Sequence, residues 1–364
     1  MDPDDQCLRG LKILAVSPIG GYHGFNTSIH RVRALEQLGA TVGQLDTAQG
    51  DPTAVARRTN QVLNALFQRG LNVPLRDTNA TCARLLAAVE RENWDWIWLE
   101  KSLRVGPAIL SQVRRIEPKI RFIGFSPDDM NGRHNQSRQF LEALPFYDYF
   151  ITTKSLNVNE LVSRGCPRVL RVENGYDPAA FRPMPVGPRE ITRLGGDIGF
   201  VGAYERERAT SMSRLAERGF RVRVWGYGWK RIGPHHPNLV VEHAPLLGDD
   251  FATACSAFKI NLGFLRKLNR DTQTTRSVEI PACGGFMLAE RTAEHSAMFR
   301  EGEEAEFFGS FRELESKCER YLRDTAARTE IARRGRERCL ASGYSNSQRL
   351  TGALRAIAEE TGLR

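Results

Sequence analysis

Short apolar runs alternate with amphipathic segments along the chain. Residues 11–16 form a mostly apolar run typical of a buried strand. Asn26 or Thr27 then caps a helix whose apolar positions recur every third residue from 29 to 38, and Gly39 ends it. Repeated strand–helix units of this kind predict an α/β fold with parallel sheets covered by helices on both faces.

The alternation occurs in two stretches separated by residues 174–196, whose several prolines and glycines predict a linker. Further strands are predicted at 41–45, 94–99, 120–125, 149–152 and 169–172 in the first stretch, and at 197–201, 221–225, 239–241, 260–262 and 286–289 in the second. Helices are predicted at 54–68, 80–91, 107–116, 205–218, 249–258, 311–323, 325–339 and 346–360.

This organisation predicts two Rossmann-like domains, since 364 residues exceed what one core normally serves. The first domain would span residues 1–175, the linker 176–196 and the second domain 197–345. The last helix is apolar on one side only, so we expect residues 346–364 to return to the first domain. Ligands of such sheets bind at the carboxyl ends of strands, which predicts a cleft between the two domains.

Composition narrows the class of protein. Hydrophobic residues make up 41% and charged residues 26%, as in ordinary globular proteins, and no apolar run approaches the ~20 residues of a membrane span. The acidic N-terminus is unlike a signal peptide, and seven cysteines without a Cys-x-x-Cys pair favour reduced thiols. We therefore expect a cytoplasmic protein without a metal site.

The formal net charge of +9 favours an anionic partner. Nucleotide phosphates, the acidic inner face of a membrane and nucleic acid all satisfy this condition. A solvated, arginine-rich surface would explain the same excess without any partner. The membrane alternative would make the protein peripheral at the inner membrane face.

The segment of residues 270–285 carries the strongest chemical signal. Asp271 and Glu279 flank Arg276 in a loop rich in hydroxyl groups, and Gly284-Gly285 precedes a predicted strand. Arginine and backbone amides bind phosphate oxygens, while carboxylates accept hydrogen bonds from sugar hydroxyls. The combination predicts a site for a phosphorylated sugar.

Several segments of the chain together resemble a known family. They are residues 199–208 (GFVGAYERER), 224–229 (VWGYGW), 259–267 (KINLGFLRK) and 270–295, with weaker similarity at 125–130, 135–137, 153–155 and 174–178. They are similar to GT-B fold glycosyltransferases of group 1, and most closely to the CgeB-like, spore-maturation branch. The resemblance spans roughly residues 10–350.

The resemblance implies transfer of a sugar from a nucleoside-diphosphate donor held by the second domain. Relatives carry two glutamates separated by seven intervening residues, so Glu279 would bind the ribose and Asp271, a shorter acid, would face the sugar. Arg266, Lys267 and Arg276 would meet the diphosphate. Such cations replace a metal in many relatives, and retention of the anomeric configuration is weakly favoured.

Other residues of the second domain are further donor-binding candidates. Gly202 and Tyr204 follow a predicted strand, Trp225 ends a predicted strand that Gly226 follows, and Gly284 and Gly285 precede one. The Trp225 ring would either stack on the nucleobase or pack in the core. His295 would either touch the donor or lie on a helix face.

In the first domain, Gly20-Gly21 follows the first strand, where glycines allow a ligand to approach the backbone. His23 is a candidate base, although a lone histidine is more often structural or exposed. Asp128 would deprotonate the acceptor hydroxyl and Asp129 would lie beside it. Either acid could instead cap a helix or anchor the loop.

The sequence thus favours a glycosyltransferase of the hexosyl type, with a nucleotide-sugar donor, an unidentified hydroxyl acceptor and no separate cofactor. A nucleotide-sugar epimerase shares the fold and is the alternative within enzymes. A non-enzymatic protein that binds nucleic acid is suggested by charge alone, and we do not expect it.

Overall fold

Two parallel six-stranded sheets form the core of the chain. A computed structural model describes residues 6–20, 27–50, 52–232 and 236–362. Contacts between Cα atoms divide the chain into a first unit, Met1–Glu173 with Asn346–Arg364, and a second unit, Asn174–Ser345. No helix within the described ranges has the length and apolar content needed to cross a membrane.

The first unit contains one sheet of strand order β2-β1-β3-β4-β5-β6. Its strands are β1 (Lys12–Ser17), β2 (Thr41–Asp46), β3 (Trp96–Glu100), β4 (Arg121–Ser126), β5 (Tyr149–Thr152) and β6 (Val169–Arg171). Its helices are α1 (Thr27–Gln37), α2 (Ala54–Gln68), α3 (Thr81–Arg91), α4 (Pro107–Ile116), α5 (Arg138–Ala143) and α6 (Ser155–Ser163). Alternate β1 side chains enter two different apolar clusters, because helices cover both faces of the sheet.

The second unit contains a sheet of order β12-β11-β10-β7-β8-β9. Its strands are β7 (Gly196–Val201), β8 (Val222–Trp225), β9 (Leu239–Val241), β10 (Phe258–Gly263), β11 (Met287–Glu290) and β12 (Glu306–Phe308). Its helices are α7 (Pro188–Leu194), α8 (Arg206–Glu217), α9 (Gly248–Ala257), α10 (Arg276–Ala282), α11 (Ala293–Met298), α12 (Phe311–Arg323) and α13 (Thr325–Ala341).

The last helix, α14 (Asn346–Glu360), belongs to the first unit. Leu350, Leu354 and Ile357 on its apolar side join the cluster that contains Val32 and Leu35 of α1. The one-sided pattern of this segment is therefore explained by packing on the first unit.

The expected linker contains an element that the sequence analysis missed. Residues 188–194 form α7, with Pro188 in its first turn and the Glu190 carboxylate accepting the Gly187 N–H at 3.0 Å. Proline is tolerated in the first turn because that N–H has no intrahelical acceptor. Pro188 therefore marks the start of a helix, whereas the prolines before it lie in non-helical residues. The three-residue strand β12 was also missed.

Candidate active site

The order of strands reverses between β7 and β10 in the second unit. In parallel sheets the loops that leave the carboxyl ends at such a reversal form the ligand site. The loop after β7 carries Gly202 and Tyr204, and the loop after β10 carries Arg266 and Lys267. The fold thus brings these four predicted residues to one edge of one sheet.

Glycines allow the loops after β7 and β8 to touch. The Gly202 N–H donates to the Trp225 carbonyl at 2.8 Å, and the Trp229 indole donates to the Gly202 carbonyl at 2.9 Å. Gly226 has φ +148°, and a Cβ atom there would lie 2.0 Å from the Gly202 carbonyl oxygen. Only glycine combines this backbone conformation with so close an approach.

Aromatic side chains around these glycines are mainly packing groups. The Trp225 ring packs against the apolar cluster beneath the sheet edge, and the Arg223 guanidinium lies 5.0 Å from the ring centroid. The Tyr204 ring meets the Trp229 ring edge-on, with centroids 5.6 Å apart. The buried Trp225 Nε1 has no hydrogen-bond acceptor within the described residues. Of the two roles considered for Trp225, these contacts favour packing.

The predicted phosphate cations already have acidic neighbours. Arg266 Nε donates to Glu205 Oε1 at 2.9 Å, and Lys267 forms an ion pair with Glu207. The hydrogen bond that Lys267 donates to the Glu207 carboxylate raises the pKa of Lys267 above its usual range. The Lys267 pair is exposed and the Arg266 pair is partly exposed, so both contribute little to stability and can exchange for another anion.

Arg208 was not predicted, and it lies beneath this loop. It is 5% exposed and donates to the carbonyls of Ala203 at 3.2 Å and Phe264 at 3.3 Å. Burial lowers the pKa of its guanidinium. These bonds connect the loops after β7 and β10 across the reversal point, so Arg208 holds the two loops in register.

Glu279 and Arg276 form a pair at the start of α10. The Glu279 carboxylate is buried, with 2% of its side chain exposed, and Arg276 Nη1 donates to its Oε2 atom. Arg276 Nε also donates to the carbonyl of Val201, the last residue of β7, at 3.4 Å. The guanidinium lies 4.1 Å from the Phe251 ring centroid. Glu279 therefore lies beside the carboxyl end of β7, covered by a partly exposed arginine.

Asp271 closes its own loop. The Arg266 N–H donates to Asp271 Oδ2 at 3.2 Å, and Asn269 Nδ2 donates to Oδ1 at 2.7 Å. The intervening Arg270 has φ +46°, a left-handed conformation that is rare outside glycine. The carboxylate thus stabilises the loop that carries Arg266 and Lys267.

His295 lies inside the fold rather than on its surface. The residue is 1% exposed, its Nε2 is 2.7 Å from Ser277 Oγ, and its Nδ1 is 2.7 Å from the Glu290 carbonyl oxygen. Because a carbonyl can only accept, Nδ1 carries the proton and Nε2 accepts from Ser277. Burial lowers the pKa of His295. His295 thus joins β11 to the start of α10, and these contacts favour a positioning role for its ring.

Gly284 and Gly285 also lie elsewhere than expected. They end α10, with their N–H groups donating to the Pro281 and Ile280 carbonyls at 2.8 and 3.0 Å, and Gly284 has φ +74°. Helix α10 runs back along the sheet, so its end reaches the amino edge, where β11 begins. The two glycines therefore terminate a helix and do not form part of the ligand edge.

In the first unit the order of strands reverses between β1 and β3. Gly20 follows β1, and a Cβ atom there would lie 2.3 Å from Asp46 Oδ2. Gly20 thus permits a close approach within the protein. Gly21 and His23 lie outside the described residues.

Asp128 follows β4, and its carboxylate forms an ion pair with Lys101, which follows β3. Lys101 Nζ also donates to Asn135 Oδ1 at 2.9 Å, and Lys101 has φ +44°. Asp128 keeps 24% of its side chain exposed, so it remains accessible from the carboxyl edge.

Asp129 is buried, and its Oδ1 atom accepts from Asn157 Nδ2 at 2.8 Å and from the Asn131 N–H at 3.0 Å. The alternative in which Asp129 anchors the loop fits these contacts. Asp128 is then the acid of this pair that a ligand can reach.

Two functional candidates escaped the sequence analysis although a signal existed. Lys101 and Glu290 both stand at carboxyl ends of strands, the position that the fold reserves for ligand groups. Glu290 Oε2 accepts the Leu265 N–H at 2.6 Å, and burial raises the pKa of its carboxyl. Through this hydrogen bond, Glu290 at the end of β11 stabilises the loop after β10.

The chain is similar to known proteins both in sequence, over part of its length, and in fold. Residues 206–355 match the family model described as "Glycosyl transferase-like". No curated protein sequence matches the chain.

Three similar solved structures cover almost the whole chain. HepE from Anabaena in complex with UDP-glucose has TM-score 0.61 and 14% identity, covering 97% of this chain and 99% of its own. Sucrose-phosphate synthase from Thermosynechococcus elongatus has TM-score 0.61 and 12% identity, covering 97% and 98%. An α-glucosyltransferase in complex with UDP-glucose and DNA containing an abasic site has TM-score 0.63 and 14% identity, covering 95% and 99%. The chain therefore has two Rossmann-like domains of the kind found in GT-B glycosyltransferases, and its second half carries a glycosyltransferase-like family match.

Proposed function

We propose that the chain transfers a hexosyl unit from a nucleoside-diphosphate sugar to a hydroxyl acceptor. The observation that carries this proposal is the buried Glu279 carboxylate beside the carboxyl end of β7. A buried carboxylate at a strand reversal is suited to accept hydrogen bonds from ligand hydroxyls. The segment also lies inside the region with the glycosyltransferase-like match.

The donor would occupy the carboxyl edge of the second unit. Glu279 would accept hydrogen bonds from ribose hydroxyls once the Arg276 side chain turns toward the diphosphate. Arg266 and Lys267 would exchange Glu205 and Glu207 for phosphate oxygens. Gly202 and Gly226 leave the backbone of this edge without side chains that would obstruct a ligand.

Departure of the nucleoside diphosphate places negative charge on its phosphate oxygens. Three cations, Arg266, Lys267 and Arg276, are positioned in the loops around that edge to stabilise the charge. This supports a transfer that needs no metal, with retention of configuration weakly favoured by the resemblance. Asp128 would accept the proton of the acceptor hydroxyl after releasing Lys101.

An epimerase acting on the nucleotide sugar is the second candidate. A solved structure described as a putative UDP-N-acetylglucosamine 2-epimerase from Listeria monocytogenes covers 97% of the chain, with TM-score 0.54 and 12% identity. An epimerase would convert its sugar nucleotide in the absence of any acceptor. A transferase would release nucleoside diphosphate and form a new glycoside only when an acceptor is present.

A thermal-shift panel of UDP-, GDP-, ADP- and dTDP-sugars tests the proposal directly. At a ligand concentration 100 times its Kd, a bound donor stabilises the protein by about 2.7 kcal/mol. For a unit of this size that corresponds to a rise in Tm of roughly 5–10 °C. If no sugar nucleotide raises Tm at millimolar concentration, the donor site does not exist. A transfer assay with the donor identified in this way, run with and without EDTA, tests the metal-independent part.

A further inference from the structure

A cavity of about 200 Å³ lies in the first unit at the carboxyl ends of β1 and β3. Its polar lining consists of Thr47, Thr81, Lys101, Ser102 and Arg104, and its apolar lining includes Leu75 and Leu103. The cavity lies where the order of strands reverses in this sheet, the position at which parallel sheets bind ligands. Its volume is below the roughly 300 Å³ at which drug-sized pockets begin, so it suits a small group.

Three polar atoms of the residues that line this cavity have no hydrogen-bond partner within the described part of the chain. They are Thr81 Oγ1, Ser102 Oγ and Arg104 Nε, and each atom is buried. Thr81 is 2% exposed and Ser102 is 6% exposed. Native proteins pair the great majority of such groups, so three orphans around one cavity indicate a missing partner.

The charges around the cavity determine the chemistry of that partner. Arg104 forms no ion pair within the described ranges, whereas the nearby Asp77 carboxylate is engaged by the N–H groups of Thr81 at 3.0 Å and Cys82 at 2.7 Å. Lys101 adds a second cation to the lining, paired with Asp128 on its other side. A guanidinium, an ammonium and two hydroxyl groups are donors, so the complementary ligand is an acceptor with negative charge.

We propose that this cavity binds an oxyanion, a phosphate or a carboxylate, carried by the sugar acceptor. The side chains of Arg104, Ser102 and Thr81 supply the donors for its oxygens after the rotations that bring these buried groups to the cavity wall, and Lys101 supplies the second positive charge. Anchoring the anion here leaves an acceptor hydroxyl to reach Asp128, which Lys101 already contacts. The assignment of this anion to a sugar acceptor rests on the proposed transferase function, whereas binding of the oxyanion does not.

Calorimetric titration of the full chain with inorganic phosphate, glucose 6-phosphate, glucuronate and glucose tests the proposal. We expect one or both anionic sugars to bind at least about 10-fold more tightly than glucose, because charge-assisted hydrogen bonds dominate. Preference for glucose 6-phosphate assigns the anion as phosphate, and preference for glucuronate assigns it as carboxylate. Equal affinity for glucose and both anions, or no binding of either anion, overturns the proposal.

Variants locate the site, since phosphate can also meet cations of the second unit. Arg104→Gln and Ser102→Ala should each weaken binding of the preferred anionic sugar, by about 10- to 100-fold for the arginine. Arg115→Gln removes the same charge from an exposed position on α4 and should leave the affinity unchanged. Unchanged affinity in both cavity variants overturns the proposal. If Arg104→Gln lowers Tm markedly, the milder Ser102→Ala variant decides.

The two proposals fail separately. If no sugar nucleotide raises Tm but the chain binds an anionic sugar in a way that depends on Arg104, the transferase proposal is rejected and the oxyanion site is retained. If a sugar nucleotide raises Tm but no anionic sugar binds, the oxyanion site is rejected and the transferase proposal is retained.

Discussion

Replacing Glu279 by glutamine provides the sharpest test of the donor site. The change removes a negative charge from a side chain that is 2% exposed and leaves its shape almost intact. Arg276 then loses its anionic partner at the start of α10. The glutamine amide can still accept one hydrogen bond from the arginine, so the local packing should survive.

Two free-energy changes follow from this geometry. Breaking a fully buried ion pair costs about 3–5 kcal/mol, but Arg276 is 35% exposed and can be rehydrated, which limits the loss of stability to about 1–2 kcal/mol. A carboxylate that accepts from ligand hydroxyls contributes about 1.5–3 kcal/mol to binding. We therefore expect the donor Kd to rise by roughly 10- to 100-fold.

The assay is calorimetric titration with the sugar nucleotide that gives the largest Tm shift, at a temperature well below the Tm of the variant. Glu304→Gln is the matched control. Glu304 is also a buried glutamate of the second unit, with 7% of its side chain exposed, and it pairs with the more exposed Arg300. It precedes β12 and so lies away from the carboxyl edge.

The Glu304 variant should lose stability but keep its donor affinity. If Glu279→Gln binds the donor as tightly as the unaltered protein does, Glu279 is only a structural partner of Arg276. If both variants lose affinity equally, the effect comes from destabilisation of the second unit.

Two further predictions concern the buried histidine and the glycine contact. Burial lowers the pKa of His295 in the folded state. The contribution of the neutral ring to the free energy of unfolding is therefore full above the unfolded pKa near 6.5 and declines as the pH falls below it, by at most about 1.4 kcal/mol per pH unit. His295→Gln should flatten this dependence in urea unfolding from pH 8 to 5, and an unchanged slope refutes it. Gly226→Ala should lower the free energy of unfolding by more than about 2 kcal/mol and weaken donor binding. Gly219→Ala is the control: Gly219 has φ +91° but open space around it, so the loss should be only about 1–2 kcal/mol. Equal losses in the two variants would contradict the close contact at Gly226.

Local patterns in the sequence were sufficient to predict most elements. The apolar runs identified eleven of the strands, and the one-sided apolar pattern of residues 346–360 predicted a helix that packs elsewhere. These predictions succeed because burial of apolar side chains imposes a period of two on strands and 3.6 on helices. Short or atypical elements escaped, as α7 did when Pro188 was interpreted as a breaker.

The candidate site residues were also predicted with mixed success. Position after a strand correctly placed Gly202, Arg266 and Lys267 at the carboxyl edge of the second unit, because parallel strands share that edge. Nearness in sequence to the same motif misplaced Gly284. Helix α10 carries Gly284 to the opposite edge, and packing turns the His295 ring inward.

The sequence by itself determined the class of fold, the two repeated strand–helix stretches and the chemical types available for a site. Only the tertiary structure decided which of these groups meet: that Glu279 lies beneath Arg276, and that Thr81, Ser102 and Arg104 converge on one cavity. The reason is physical. Periodicity and propensity are local properties of the chain, whereas burial and hydrogen-bond pairing depend on residues that are distant in sequence and adjacent only after folding.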